Sequence, residues 1–470
     1  MRRFFSFALP ARPARQPRIG ISQNPRGTTR PIARKYPQPN MPFSRLSNVF
    51  LFSALLAASA FAEDFQGSAQ KLEYEEEPIA YSKIPPDDPV ARLQRRLDAG
   101  EAKLAWDDKF GYLPGILDAF GIPKSSQMLV FSKTSLQRKL ISPSNPRALY
   151  FNDDVYVGYI PDAPMMEVST VDPQHGGIFY SIGQEKVRKP KFERNQDCMQ
   201  CHGAQRTLGV PGHFVRSVPT DAMGELDTPN EISDITHCTS LADRWAGWYV
   251  TGQHGAQTHR GNLIGADAFA RAKEEPNYLG NLTELGKFFD ESKYLARGSD
   301  IVALMVLEHQ AHMHNYITRL NFETQIMTTM YGHTRYLRHQ ENAFLRYLLF
   351  TEEAPLTAPL AGNPEFVAAF AKLGPRDSKG RSLRDFDLQT RMFKYPCSFL
   401  IYSDAFAQMA PVMKEELLRR LFAILTGTET HSDFANIPAA DRQAILEILR
   451  ETMPSLPDYW RIAGSTGGAN

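Results

Sequence analysis

The sequence predicts a mainly α protein with a small antiparallel β region, and three features of the chain predict it. Apolar residues recur at helical spacing near the start and throughout the second half, with Ile301–Met330 the longest such run. Between Gln127 and Gly183 the period changes to short β-branched and aromatic runs cut by Pro, Asn, Asp and Gly. Gly203–Gly261 is rich in Gly, Pro, Thr and His without clear periodicity, and so long an irregular stretch needs something to pack against. A hydrophobic content of 42% with 11% aromatics is that of a foldable globular chain.

Taken in order, Met1–Asn40 is an Arg- and Pro-rich upstream extension that reads as lying outside the functional protein. From Met41 the chain runs "MPFSRLSNVFLFSALLAASAFAEDF": a charge at Arg45, an apolar core at Val49–Ala58, and a small-residue cleavage site at Ala60-Phe61-Ala62. That is a signal peptide over residues 41–62, with an apolar run too short to span a bilayer. It predicts a periplasmic or otherwise extracytoplasmic protein with no membrane span after cleavage. Residues 63–88 read as an acidic extended arm, and 89–265 as an α+β region. The latter holds helices at Val90–Leu104 and Leu113–Phe120, then three or four strands with a tight turn at Asn152-Asp153-Asp154. Residues 266–470 read as helical, with Leu337–Thr351, Glu365–Lys372, Met413–Leu425 and Asp441–Thr452 following the long run.

Charge is distributed unevenly. Residues 1–62 carry ten Lys/Arg and no Asp/Glu, which leaves 43 basic against 52 acidic residues in 63–470, a net of −9. An acidic body argues against nucleic acid as a partner and suits docking to a basic protein.

The chemistry concentrates in "DCMQCHGAQ", Asp197–Gln205, which places two of only four cysteines three apart with histidine directly after. C-x-x-C-H is the attachment signature of c-type haem. Cys198 and Cys201 would add to the porphyrin vinyl groups, and His202 would be the proximal iron ligand. The expected arrangement is one haem c, packed in the irregular segment against the C-terminal helices. A signal peptide agrees with this, because such haem is attached after export. Zinc bound with help from Cys238 and His213 or His237 is an alternative, as is a dithiol redox pair; neither accounts for His202. The chain after Ala62 has 408 residues, well beyond the roughly 100 of a small domain. The surplus tilts the reading toward an enzyme or enzyme subunit acting on a small-molecule substrate.

For the other face of the iron the sequence offers several residues. "GWYVTGQHGAQTHRGN" supplies His254 and His259, "THC" His237, "DAMGE" Met223, and "LEHQAHMHN" Glu308, His309, His312, Met313 and His314. On a helix, Glu308, His312 and Asn315 fall on one side with Ile301 and Leu304. Either a buried Glu–His pair or a cluster facing the cofactor would place polar groups on such an apolar stripe. His254 is the first distal-side candidate, followed by Glu308, His309 and His312. Arg244, in "RWAGWYVTGQHG", is the candidate partner of a haem propionate, with Trp245, Trp248 and Tyr249 as walls. Cys238 and Cys397 form a disulfide or stay apart, Cys397 then being a small buried side chain.

Several segments together resemble one family: "RALYFNDDVYVGYI", "CMQCHG…GVPGH", "DRWAGWYVTGQHG", "LEHQAHMHN" and "GPRDSKGRSLRDFDLQTRMFKYPCSFLIYS". The likeness spans roughly Pro146 to Trp460. It is to large, exported bacterial proteins with a single-haem cytochrome c domain, a family of unknown biochemical role. The resemblance implies covalent haem at Cys198, Cys201 and His202. Cys238 is atypical of the pattern, which argues against its disulfide. With a single C-x-x-C-H, the two-haem peroxidases do not match. The function expected is therefore periplasmic redox chemistry, as an electron-transfer protein or a haem-dependent oxidoreductase working with a redox partner protein. A haem-based ligand-binding or sensing module and a non-haem zinc protein are the alternatives.

Overall fold

A computed structural model describes residues 73–83, 85–227 and 232–462; the upstream extension and the signal segment lie outside these. The β region is larger than expected. Strands β1 (Met128–Val130), β2 (Arg147–Phe151), β3 (Val155–Tyr159), β4 (Met165–Asp172), β5 (Gly176–Gly183) and β6 (Phe192–Arg194) come in chain order. After a separate pair, β7 (Val215–Ser217) with β8 (Ser233–Ile235), comes β9 (Trp248–Tyr249). The main sheet has seven strands in the order β6-β5-β4-β3-β2-β1-β9, every neighbour antiparallel. The fold is therefore mixed rather than mainly α. Seven strands stand where the sequence predicts three or four; the two at the edges, β6 and β9, are three and two residues long, too short to show a period of two, and pairing with β5 and β1 alone defines them.

The β2–β3 turn falls where the sequence puts it. Asn152 Oδ1 accepts from the backbone N–H groups of Asp154 (3.1 Å) and Val155 (2.9 Å), an Asx turn that closes the hairpin. Helix α1 (Pro89–Asp98) begins at an Asp88 cap that accepts from Val90 and Ala91. It stops short of the expected Leu104 and is followed by Gly100 at φ 76°. Helix α2 (Leu113–Phe120) ends at Gly121, φ 65°, a left-handed cap that a β-carbon would strain. A short α3 (Met199–His202) and α4 (Gly265–Glu274) lead to the central helix α5 (Ile301–Tyr331). Helices α6 (Arg338–Leu348), α7 (Pro364–Lys372), α8 (Asp404–Ala407), α9 (Pro411–Thr426), α10 (Ala439–Thr452) and α11 (Tyr459–Ile462) complete the chain.

Both faces of the sheet are covered: β3 is buried throughout and β5 nearly so, while β2 and β4 alternate between buried and half-buried residues. One face (Met128, Val130, Phe151, Tyr156, Val171) joins the core around α5 and the C-terminal helices. The other (Leu129, Tyr150, Val157, Val168, Ile178, Tyr180) packs with Leu93 of α1 and Ile116 and Leu117 of α2. The α5 core draws on residues from both sides of position 265. Helix α5 itself is buried from Ile301 to Thr324 on every side except at His312.

The described part of the acidic segment, 73–83 and 85–88, is stitched in through turns rather than extended over the surface. Tyr74, Ile79 and Tyr81 are buried. Tyr81 Oη donates to the Gly177 carbonyl at 2.8 Å, and the Arg194 guanidinium lies 4.7 Å over the Tyr81 ring. Tyr180 Oη donates to Asp88 Oδ2 at 2.6 Å, tying the α1 cap to β5.

Candidate functional site

The chain enters the C-x-x-C-H segment from edge strand β6 through one tight turn, Gln196–Cys198, and makes its four-residue helix α3 at once. Three-residue spacing on a helix puts Cys198 and Cys201 on one side. Cys198 is half-buried and Cys201 exposed, and both are free thiols. His202 Nδ1 sits 2.8 Å from the Gly212 carbonyl oxygen. That oxygen can only accept, so Nδ1 carries the proton and Nε2 keeps its lone pair. The rings of Phe179 (4.6 Å) and Phe214 (4.9 Å) fix the imidazole plane. Burial holds its pKa down at about 4, so the ring is neutral at ordinary pH.

Cys198, Cys201 and His202 form one wall of a cavity of about 660 Å³, within the range of sites that take a whole organic ligand. The sheet is its floor. Register sets Leu149 opposite Gly158, Gly158 opposite Glu167, and Ser169 between Tyr156 and Phe179, all on the face toward the cavity. Gly158 leaves the middle of that floor flat. A β-carbon there would meet nothing nearer than 3.6 Å, so a larger side chain has only the cavity to fill. Leu307 and Ala311, one turn apart on α5, line the cavity with Trp248.

Four cationic side chains line the cavity against two carboxylates, Glu167 and Asp197. Arg147 pairs with Glu167 at 2.8 Å, and Lys133 with Glu225 at 2.8 Å. Arg138 and Arg216 have no carboxylate within ion-pair distance among the described residues; Arg216 lies 5.6 Å over the Phe214 ring. The cavity thus combines an apolar floor, two unmatched guanidinium groups, two thiols and a neutral imidazole.

The loop after α3 is pinned from three directions. Gly177 N–H donates to the Pro211 carbonyl (2.8 Å), Gly212 N–H to the His202 carbonyl (2.9 Å), and His213 N–H to Asn315 Oδ1 on α5 (3.0 Å). A β-carbon at Gly212 would lie 2.0 Å from Asn315 Oδ1, so only glycine fits. His213 lines the cavity, its Nε2 2.9 Å from Ser169 Oγ and its ring stacked on Tyr156 at 4.4 Å. The sequence carries a signal for it, a Pro-Gly-His just after the motif, but reading that histidine only as a zinc ligand misses its place.

The structure places the other sequence candidates away from this cavity. His254 Nε2 accepts from Asn281 N–H at 2.8 Å and its ring packs on His259 at 4.7 Å, bracing two loops. Glu308 pairs with Arg244, which also donates to the His237 carbonyl (3.1 Å), while Trp245 Nε1 donates to Glu308 at 3.3 Å. His309 lies between His237 Nδ1 and Ser398 Oγ, 2.8 Å from each. His312 packs on Tyr316 and Tyr347, His314 reaches the Asp153 carbonyl, and Met223 is exposed. Arg244 is thus inside a buried ion pair rather than on the cavity wall. Helical geometry gives the reason: α5 turns Leu307 and Ala311 to the cavity, which aims 308, 309 and 312 elsewhere.

Cys238 and Cys397 are separate free thiols, each pushed up to about 12 by burial. Cys198 is pushed up to about 11, burial first and Glu167 and Asp197 adding, the reverse of what an attacking redox thiol needs. Among the described residues no group of three or more His, Cys, Asp or Glu is disposed to hold a metal ion, and no helix is long and apolar enough to cross a membrane. Compared with protein families, curated proteins and solved structures, the chain gives no match.

Proposed function

We propose that the cavity holds one c-type haem, bound through Cys198 and Cys201 with His202 on the iron, and that the protein is an exported redox protein. The observation that carries this is the His202 tautomer: Nδ1 donates to a backbone carbonyl while Nε2 is left to ligate in a cavity walled by both cysteines. The rest of the donor set fits. Two thiols match two vinyl groups, the unmatched Arg138 and Arg216 match two propionates, and the flat floor at Gly158 suits a planar ring. Haem supplies a one-electron ferric/ferrous couple. The chain's part is to hold that couple rigidly, exclude water with Leu149, Phe151 and Leu307, and balance its charge. The acidic body suits a basic redox partner.

The test is expression from Met41 in a host that ligates haem in the periplasm. The peptide containing Cys198–His202 is expected to carry a covalent haem mass, and replacing both cysteines by alanine to remove it. A colourless exported protein with an unmodified peptide would end the proposal. The spectrum then separates the two roles within it. A high-spin ferric state with fast carbon monoxide binding by the ferrous protein marks an oxidoreductase, and an inert low-spin state marks an electron carrier.

A further inference from the structure

The Gly212–His213 peptide bond joins two parts of the molecule that are far apart in sequence. Its carbonyl accepts from His202 Nδ1 at 2.8 Å, and its N–H donates to Asn315 Oδ1 at 3.0 Å. Asn315 also closes the loop from its other end, Nδ2 donating to the His213 carbonyl at 2.6 Å. Both of its amide groups are therefore committed to the segment after the motif. Asn315 is fully buried, and Gly212 has no side chain because the amide oxygen occupies that space.

From this geometry we infer that Asn315 is a positioning residue that tunes the axial imidazole through one peptide bond. The inference rests on the haem assignment above. An acceptor on the N–H of an amide polarises it and makes its carbonyl a stronger acceptor. A stronger carbonyl pulls harder on the Nδ1 proton, which makes Nε2 a better electron donor. A better donor favours ferric over ferrous iron. Asn315 thus lowers the reduction potential without touching the cofactor, and fixes the rotation of His202 at the same time.

The experiment measures the reduction potential of purified holoprotein, with covalent haem checked first by mass. If wild type carries no haem, the assignment fails and not this inference. Given haem, Asn315→Leu is expected to shift the ferrous-to-ferric ratio at fixed applied potential toward ferrous by roughly threefold to tenfold. The upper limit corresponds to about 59 mV for a one-electron couple. Asn315→Asp keeps an acceptor oxygen facing His213 N–H, so its potential is expected at or below wild type. Asn321→Leu is the control for general loosening. It removes another buried amide of α5, one that accepts from Ala410 N–H at 3.0 Å away from the motif, and is expected to lower stability but leave the potential unchanged. If Asn315→Leu leaves the potential where it was, or if Asn315→Asp and Asn321→Leu move it as Asn315→Leu does, the inference is overturned.

Discussion

Gly158→Phe is expected to give a folded protein that leaves a haem-ligating host with less than about a tenth of the wild-type haem. Gly158 lies in the middle of β3, paired on one side with Leu149 and on the other with Glu167. Its backbone is ordinary extended strand, and a β-carbon would make only ordinary contacts of 3.6 Å, so a bulkier residue strains nothing locally. Aromatic residues also favour strands over glycine. The ring can go only where the floor is open, into the cavity of about 660 Å³ that His202 also lines. Filling an apolar hollow does not unfold a protein, but it does exclude what the hollow is shaped to hold. Haem per protein by absorbance, with urea unfolding alongside, makes the measurement. Gly158→Ala, one methyl group, is expected to keep most of the haem. Full haem in the phenylalanine variant would place the cofactor elsewhere.

What the sequence discloses and what it hides follow from the range of the interactions involved. Cys198, Cys201 and His202 make their statement by local spacing, and α2 is legible residue for residue because Pro114 starts it and Gly121 stops it. The hairpin at Asn152 is equally local. Edge strand β9 is set by pairing with β1, far back in the chain, and β6 by pairing with β5 just before it, and both are too short for a pattern within two or three residues to announce them. Helix α5 misleads for a different reason. A helix buried on nearly every side has no polar stripe to mark its outward face, so the polar residues 308, 312 and 315 suggest a shared face toward the cofactor. Instead Glu308 faces Arg244, His312 faces two tyrosines, and Asn315 reaches the loop after α3. The charges on the cavity wall are hidden for the same tertiary reason. Arg244 looks available in sequence and is taken by Glu308, whereas Arg138 and Arg216 stand in unremarkable surroundings and become informative only when the fold leaves them without a counter-ion. The cavity proposed for the haem is floored by the sheet, with Leu307 and Ala311 of α5 at its side, a tertiary arrangement that no local pattern in the irregular segment or the helices announces.

The Arg244–Glu308 pair sets the second large effect, on stability. Arg244→Met is expected to cost about 2–3 kcal/mol at pH 9, because without its cation Glu308 must stay protonated in the core at a pH where the unfolded chain and, in part, the wild type have released that proton. At pH 6 the cost falls to about 1–2 kcal/mol, the share due to the Thr239 and His237 carbonyls losing a donor. Burial pushes Glu308 up to about 8 from 4.5, against the opposing pull of Arg244 and Trp245. An acid raised in the folded state keeps its proton there while the unfolded chain has lost it. Its contribution therefore declines as pH rises from 4.5 through about 8. Removing Arg244 raises the native value further and carries that decline to higher pH, so the variant diverges from wild type on the alkaline side. Glu308→Gln in the Arg244→Met background removes the orphaned acid and is expected to recover most of the alkaline loss, a coupling that a double-mutant cycle by urea unfolding at pH 6 and pH 9 reads directly. Covalent haem content is expected to stay at wild type in Arg244→Met, in Glu308→Gln alone and in the double variant, since neither side chain lines the cavity. Loss of haem on replacing Arg244 would return it to the propionate role that its sequence context suggests, and an equal cost at both pH values would show that the buried charge is not what the arginine holds in place.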